Sequence, residues 1–280
     1  MPSLVTNETE LEKLLVGRST AMAEARRFVT SVANVRTTCL IVGPRGAGKR
    51  TVARAIHHES RANGPLFTVH CAMGNWAAFD REMKAAGTIV FDGVCEMSHD
   101  AQAQFLTWVK AWSGARIVLT SHRPLSEEFR RTLDAKTLEM SALRDRREDI
   151  TSLVEHFRRE ACAEAGWNVR IPSELMETFS AYAYPGNARE LRNVVERLVV
   201  HAADSGTAEA RWLPAEMQTS ADGSRKLDDI VSELESRLVS EAMKATKDNQ
   251  VQAAEKLGLT RSTLQYKLKK YGYVSQKKAA

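Results

Sequence analysis

The chain has 280 residues, enough for one large domain or two to three smaller ones with ample core. Its 43% hydrophobic and 27% charged content is that of an ordinary globular chain, no stretch approaches the ~20 apolar residues needed to span a bilayer, and the polar, acidic start MPSLVTNETELEKL is not a signal peptide. The net charge of +5 is concentrated: residues 225–280 carry twelve Lys/Arg against seven Asp/Glu, and from Lys256 onward there are seven basic residues and no acid, a footprint for a polyanion at one end of the chain. Cys39, Cys71, Cys95 and Cys162 are scattered without metal-ligand spacing and are expected to be reduced, partly buried thiols.

In chain order, residues 19–35 have helical periodicity and precede a strand at Thr38–Val42. A glycine-rich loop follows, then a helix at Arg50–His58. Phe67–Val69, Gly87–Asp92 and Arg116–Thr120 read as strands, with an amphipathic helix at Ser98–Trp112 before the third. Strands alternating with helices imply an α/β fold with a parallel sheet. From Arg146 the pattern becomes helical: Asp149–Ala165, Ser173–Ala181 and Ala188–Ala203, broken at Pro172 and Pro185-Gly186. Residues 204–225 are polar and rich in small residues, as a linker is. A long amphipathic helix, Leu227–Thr246, and two short ones, Gln250–Leu257 and Thr260–Lys270, end the chain.

The spacing Gly43-x-x-x-x-Gly48-Lys49 after the first strand is that of a phosphate cradle. Glycines let backbone N–H groups converge on phosphate, the helix that follows points its positive end at it, and Lys49 adds a cation. The residue after Lys49 is Arg50, where many such loops place a Ser or Thr on magnesium. Asp92 ends an apolar strand, as an acid that holds magnesium or its water does, and is the candidate metal ligand; Gly93 follows it and cannot polarise water. The expected nucleotide site is Gly43, Pro44, Arg45, Gly46, Ala47, Gly48, Lys49, Arg50, Thr51 and Asp92, for ATP with magnesium.

Asn249–Tyr271 follows helix-turn-helix logic. Ala253, Ala254 and Leu257 form an apolar stripe, Gly258 permits a tight turn, Leu259, Leu264 and Leu268 continue the packing, and Thr260 is placed to cap the second helix. Arg261, Ser262, Thr263, Gln265, Tyr266 and Lys267 include its outward side chains. Arg261 and Gln265 suit purine edges, while Lys267, Lys269 and Lys270 suit phosphates.

Taken in order, these segments resemble the central and C-terminal domains of the bacterial enhancer-binding proteins, the AAA+ transcriptional activators of sigma-54 RNA polymerase. VGRSTAM (16–22) resembles the segment near the adenine, GPRGAGKR (43–50) the Walker A loop, HCA (70–72) the segment after the next strand, and GTIVFDG (87–93) Walker B. RIVLTSHRPL (116–125) is similar to the sensor I strand, LRDRREDI (143–150) to the opening of the lid, and YPGNARELRNVVER (184–197) to the sensor II segment, which would place Arg189 near the phosphates. The C-terminal segment resembles the family's Fis-type helix-turn-helix, which implies a two-fold dimer through the stripe Leu227, Ile230, Val231, Leu234, Leu238, Val239, Ala242 and Met243. The resemblance implies an AAA+ P-loop parallel sheet (1–147), a helical lid (148–215), a linker (216–225) and an all-α Fis-type domain (226–280).

The departures from the family fall at its working parts. Walker B ends in Asp92-Gly93 where the family has Asp-Glu. Only Met73–Ala86 fills the interval that carries the family's GAFTGA loop. His122 stands where the family usually has Asn, FRRTLDAKTLEM (129–140) keeps no clear arginine-finger counterpart, and Arg50 replaces the family's usual Glu. The expectation is a sequence-specific, double-stranded-DNA-binding regulator of the bacterial cytoplasm and nucleoid, homodimeric through its C-terminal domain, with a degenerate core that binds ATP without driving sigma-54 promoters and no membrane partner. Two alternatives stay open: an interaction protein that joins a complete AAA+ activator or RNA polymerase, and an active ATPase with an unrecognised catalytic residue. The segment before residue 15 is too short for a receiver domain, so a signal is expected to come through a partner, the nucleotide or protein abundance.

Overall fold

A computed structural model describes residues 5–73, 76–220, 235, 236, 238–243, 245, 246 and 249–271. The chain divides into two compact units, residues 1–221 and 222–280.

The first unit is built on five parallel strands: β1 (Cys39–Val42), β2 (Leu66–His70), β3 (Thr88–Asp92), β4 (Arg116–Ser121) and β5 (Lys136–Glu139), in the order β2-β3-β4-β1-β5. Alternation along the strands sorts side chains to two buried faces. Cys39, Ile41, Val90, Val118 and Leu138 pack against helices α1 (Val5–Leu14), α2 (Thr20–Ala33) and α3 (Lys49–Glu59). Leu40, Ile89, Phe91, Ile117 and Leu119 face α4 (Asp80–Ala85), α5 (His99–Ala111) and α6 (Glu127–Leu133), with Phe91 edge-on to Phe105 at 4.7 Å. Each fully buried Leu, Ile, Val or Phe contributes about 1.5–3 kcal/mol, so this layering holds the strand ends in place. Those C-terminal ends, where an open α/β sheet presents its ligand crevice, carry the loops after β1, β3 and β4.

Residues 150–220 form a second, helical core in the same unit. Helices α7 (Ile150–Ala165), α8 (Ser173–Ala181), α9 (Asn187–His201) and α10 (Ala215–Ser220) bury Leu153, Phe179, Leu191, Val195, Leu198 and Met217. Gly166 ends α7 in the left-handed conformation at φ 71°, the usual helix stop. The expected linker between 204 and 225 is partly structured: α10 lies in it, and Met217 is fully buried.

One carboxylate joins the two cores. Asp149, wholly buried at the start of α7, accepts hydrogen bonds from the backbone N–H of Arg18 (2.6 Å) and Ser19 (2.8 Å) and from the Ser19 hydroxyl (2.7 Å). Ser19 in turn caps α2 by accepting from the Met22 N–H. The buried Arg146 guanidinium lies 3.8 Å from Asp149 and donates to the Ala47 carbonyl in the glycine-rich loop. The lid, α2 and the glycine-rich loop are thereby registered through one polar cluster.

In the second unit, helices α11 (Gln250–Lys256) and α12 (Arg261–Lys270) cross over a core of Val239, Ala242, Met243, Ala253, Ala254, Leu264 and Leu268. Residues 238–243 are helical. Leu227, Ile230, Val231 and Leu234 of the expected long helix lie outside the described residues.

Replacing Asp149 with Ala strands the buried Ser19 N–H, the half-buried Arg18 N–H and the Arg146 charge. We expect a loss of about 2–4 kcal/mol in chemical denaturation of the first unit; an unchanged midpoint would contradict the role given to this cluster.

Candidate functional site

The sheet positions the site by strand order. β1 lies beside β4, and β4 beside β3, so the loops after these three strands open onto one mouth. The first carries Gly43–Gly48, the second Asp92 and Gly93, the third His122.

Residues 43–48 make the loop, and α3 starts directly after it at Lys49. Gly46 adopts φ 77°, and a Cβ there would lie 2.0 Å from the Gly186 carbonyl oxygen and 3.2 Å from the Arg189 Cβ. No side chain fits, so the lid segment just before α9 approaches the loop backbone directly. Asn187 secures this approach: its amide donates to the Arg45 carbonyl (2.8 Å) and its side-chain oxygen accepts from the Leu143 N–H (2.8 Å). Arg189, assigned from the resemblance alone, is thus brought beside the loop.

Lys49 is buried, 9% exposed, and its ammonium donates to the Gly43 (2.6 Å) and Pro44 (2.7 Å) carbonyls. Burial pulls its pKa down to about 8; Asp92 opposes the fall, and Arg45 and Arg189 add to it.

Asp92 is surrounded. Its Oδ1 accepts from the Thr120 hydroxyl at 2.6 Å. Its Oδ2 accepts from Arg50 Nε at 3.0 Å and Nη2 at 2.7 Å, with His70 Nδ1 3.5 Å away. Burial pushes this carboxyl up, but hydrogen bonds from Thr120 and Arg50 outweigh burial and hold it below the usual carboxylate range. The sequence analysis places magnesium on Asp92; the structure places the Arg50 guanidinium there. Arg50 brings a cation to this carboxylate, which pairs with it.

A second cluster lies at the same mouth. Arg45 Nη2 donates to Glu96 Oε1 at 2.6 Å and lies 3.2 Å from His122 Nε2, while Cys95 Sγ is 3.3 Å from His122 Nδ1. Burial and the Arg45 charge lower the His122 pKa, and Glu96 opposes the fall. Glu96 covers the position after Asp92: a Cβ on Gly93 would lie 3.0 Å from Glu96 Oε2. Sequence reasoning missed Glu96 and Cys95. The one local signal was Gly93, which turns the chain into a short 3-10 segment, Val94–Glu96, and so carries the carboxylate back over itself.

Behind the loop is a cavity of about 170 Å³ lined by Val16, Met22, Gly48, Thr51, Met140 and Phe157, among others. Val16 and Met22 belong to the segment singled out for its likeness to an adenine site. Arg146 also reaches this cavity; it is 5% exposed and its Nε has no hydrogen-bond partner. The lining is mixed, with Lys13, Arg54, His156, Glu160 and Arg192 alongside the apolar side chains, and it adjoins the glycine-rich loop at Ala47 and Gly48.

The C-terminal unit presents a separate site. Asn249 caps α11 by accepting from the Val251 and Gln252 N–H groups. Gly258, at φ 65°, ends it: Leu259 N–H reaches the Ala254 carbonyl (2.8 Å) and Gly258 N–H the Glu255 carbonyl (3.1 Å). The Thr260 hydroxyl accepts from the Thr263 N–H at 3.2 Å and caps α12. Leu264 and Leu268 point inward, whereas Arg261, Ser262, Gln265 and Tyr266 are exposed, Tyr266 by 68%. Thr263 is half-buried, and Gln265 reaches Gln250 at 3.2 Å. Lys267, assigned to DNA phosphate, instead pairs with Glu235 at 2.5 Å, an acid that Tyr271 also contacts. Lys267 faces the segment before α11, where Glu235 lies, and meets it before it meets solvent. The Lys269 and Lys270 side chains lie outside the described residues.

Comparison with known proteins followed the same divisions. Residues 16–144 match the sigma-54 interaction domain, residues 144–230 the AAA+ ATPase lid domain, and residues 230–271 the bacterial regulatory protein, Fis family. The transcriptional regulatory protein ZraR of Salmonella typhi is 31% identical over 91% of this chain and 68% of its own length. The DNA-binding transcriptional regulator NtrC of Rhizobium meliloti is 28% identical over 97% of this chain and 72% of its own. Across curated relatives of this kind the chain spans between 57% and 72% of their length. Among solved structures, NtrX from Brucella abortus in complex with ATP superimposes with a TM-score of 0.63 at 30% identity, covering 96% of this chain and 72% of that one.

The thiols give a direct check on the mouth. Burial pushes the Cys39 and Cys71 thiols up to about 11 and about 12. At Cys95 burial also pushes up, but hydrogen bonds from Ser121, His122 and Arg123 prevail and hold the thiol below its ordinary value. Iodoacetamide at neutral pH should alkylate Cys95 at least about tenfold faster than the buried cysteines, as read by peptide mass spectrometry; equal labelling would contradict this arrangement.

Proposed function

We propose a function from one premise: this chain belongs to the bacterial enhancer-binding proteins, the sigma-54-dependent AAA+ transcriptional regulators that end in a Fis-type helix-turn-helix. On that premise it is a sequence-specific regulator that binds double-stranded DNA through α12, with a core that holds ATP or ADP but does not run the family's ATP-driven cycle. The exposed row Arg261, Ser262, Gln265 and Tyr266 opposite the buried Leu264 and Leu268 carries the DNA-binding reading. A two-fold dimer through the helix before α11 would present two such rows to a palindromic site, and the 44% exposed Leu238 supports that pairing.

The nucleotide reading rests on the loop, the adjoining cavity and the lid contact at Gly46, together with the ATP-bound NtrX relative. The non-motor reading rests on absences in the sequence. Gly93 offers no carboxylate, and the 71–87 segment between β2 and β3 leaves no room for a GAFTGA-type excursion. Orienting water and stabilising transferred charge are what hydrolysis requires of the protein. A second reading has one observation behind it: Glu96 covers Gly93 and could orient the water instead. Phosphate release that disappears in Glu96→Gln would favour that reading; background release in both proteins favours the first.

On operator DNA selected from random duplexes, Arg261→Ala and Gln265→Ala should each weaken binding by about tenfold or more and relax preference at one base position. Uniform weakening across all sequences would contradict base reading. ATP binding should report Lys49 as well. Its charge is present below about pH 8 and lost above it, so affinity should hold below that pH and fall by up to about tenfold per unit above it. A pH-independent affinity would remove Lys49 from the phosphate site.

A further inference from the structure

Magnesium is the cation that a P-loop fold implies, and the residues at this mouth do not fit it. Magnesium needs near-octahedral oxygen ligands at about 2.0–2.1 Å and gives up water reluctantly. Position 50 contributes a guanidinium where the family usually carries a Glu, and Thr51 lines the neighbouring cavity. Asp92, the strand-end acid, has both oxygens engaged, Oδ1 by Thr120 and Oδ2 by two nitrogens of Arg50, with His70 at the same oxygen. To reach this carboxylate a divalent cation would have to displace a guanidinium that is already hydrogen-bonded to it twice, and would then sit beside that released positive charge.

The charges of the mouth balance without a metal. Each carboxylate already has an arginine, Asp92 with Arg50 and Glu96 with Arg45. Lys49 donates only to backbone carbonyls, so its charge is not spent on an acid, and Arg189 stands beside Gly46. A polyphosphate that arrives without an escorting cation meets a positively charged cradle with no exposed, unpaired carboxylate at Asp92 to repel it.

We propose that this site takes the metal-free nucleoside polyphosphate, with the Arg50–Asp92 ion pair standing where other P-loop proteins place magnesium. The inference rests on the nucleotide-binding reading above and specifies its ligand. Arg50 is half exposed, so it can keep one edge on Asp92 while another faces phosphate. The pairing makes Asp92 a holder of Arg50, a positioning residue.

The test is calorimetric titration of the full chain with ATP, once in excess EDTA and once in excess magnesium chloride. Wild type should bind about tenfold or more weakly in excess magnesium than in EDTA, because magnesium draws the free polyphosphate into its own complex. Arg50→Ser, which bares the Asp92 charge and supplies a hydroxyl, should weaken binding in EDTA by about tenfold or more and recover it with magnesium. Its melting curve serves as the control for folding. Wild-type binding as tight or tighter with magnesium would overturn the proposal while leaving nucleotide binding standing. No wild-type binding in either buffer would overturn both. Manganese added with ATP gives a second readout by electron paramagnetic resonance: wild type should leave the ion's solution spectrum unchanged, and a protein-bound signal on wild type would also overturn the proposal.

Discussion

The ion pair between Arg50 and Asp92 is the constraint on which the rest of the site turns. It spans the start of α3 and the end of β3, the two places from which a P-loop fold normally supplies its phosphate cradle and its metal acid. Once a guanidinium holds that carboxylate, Lys49 is left with the Gly43 and Pro44 carbonyls as its partners. The strand order brings the two ends of the pair to the same edge of the sheet, since β4 lies between β1 and β3. The neighbouring Arg45–Glu96 pair repeats the pattern on the other side of the mouth. Two arginines thus neutralise the two acids from which metal-assisted chemistry would be built.

The lid adds rigidity to this arrangement. Gly186 lies against Gly46 too closely for any side chain, Asn187 bonds to both Arg45 and Leu143, and Asp149 ties the lid's first helix to the entry of α2. In a nucleotide-driven protein such contacts are where a change of ligand becomes a change of shape. The C-terminal unit, whose residues 230–271 match the Fis family, has its own core.

Much of this was legible in the sequence because its signals are local. The glycine loop after an apolar run, the strand Thr88–Asp92, the three lid helices between their proline breakers, and the Thr260 cap with Gly258 before it are each specified within a few residues. What stayed hidden depends on partners far along the chain. The edge strand β5 has one buried apolar side chain, Leu138, and carries no alternation to read. Helix α10 is six residues of ordinary polarity until Met217 is seen in the lid core. Asp92 read as a metal ligand because strand-end acids usually are; only the fold reveals that Arg50, 42 residues earlier, reaches it. Lys267 read as a phosphate contact because it is basic and on the right helix, and Glu235 lies 32 residues away.

The account's central claim is that the core keeps a nucleotide and neither seats magnesium nor turns the nucleotide over. The most direct measurement is an experimental structure of the full chain prepared with ATP and magnesium and held long enough for turnover. The account predicts an intact triphosphate against Gly43–Lys49, the Arg50–Asp92 pair still closed, and no metal on Asp92. A metal ion on Asp92 with Arg50 swung away, or ADP alone in the loop, would contradict it.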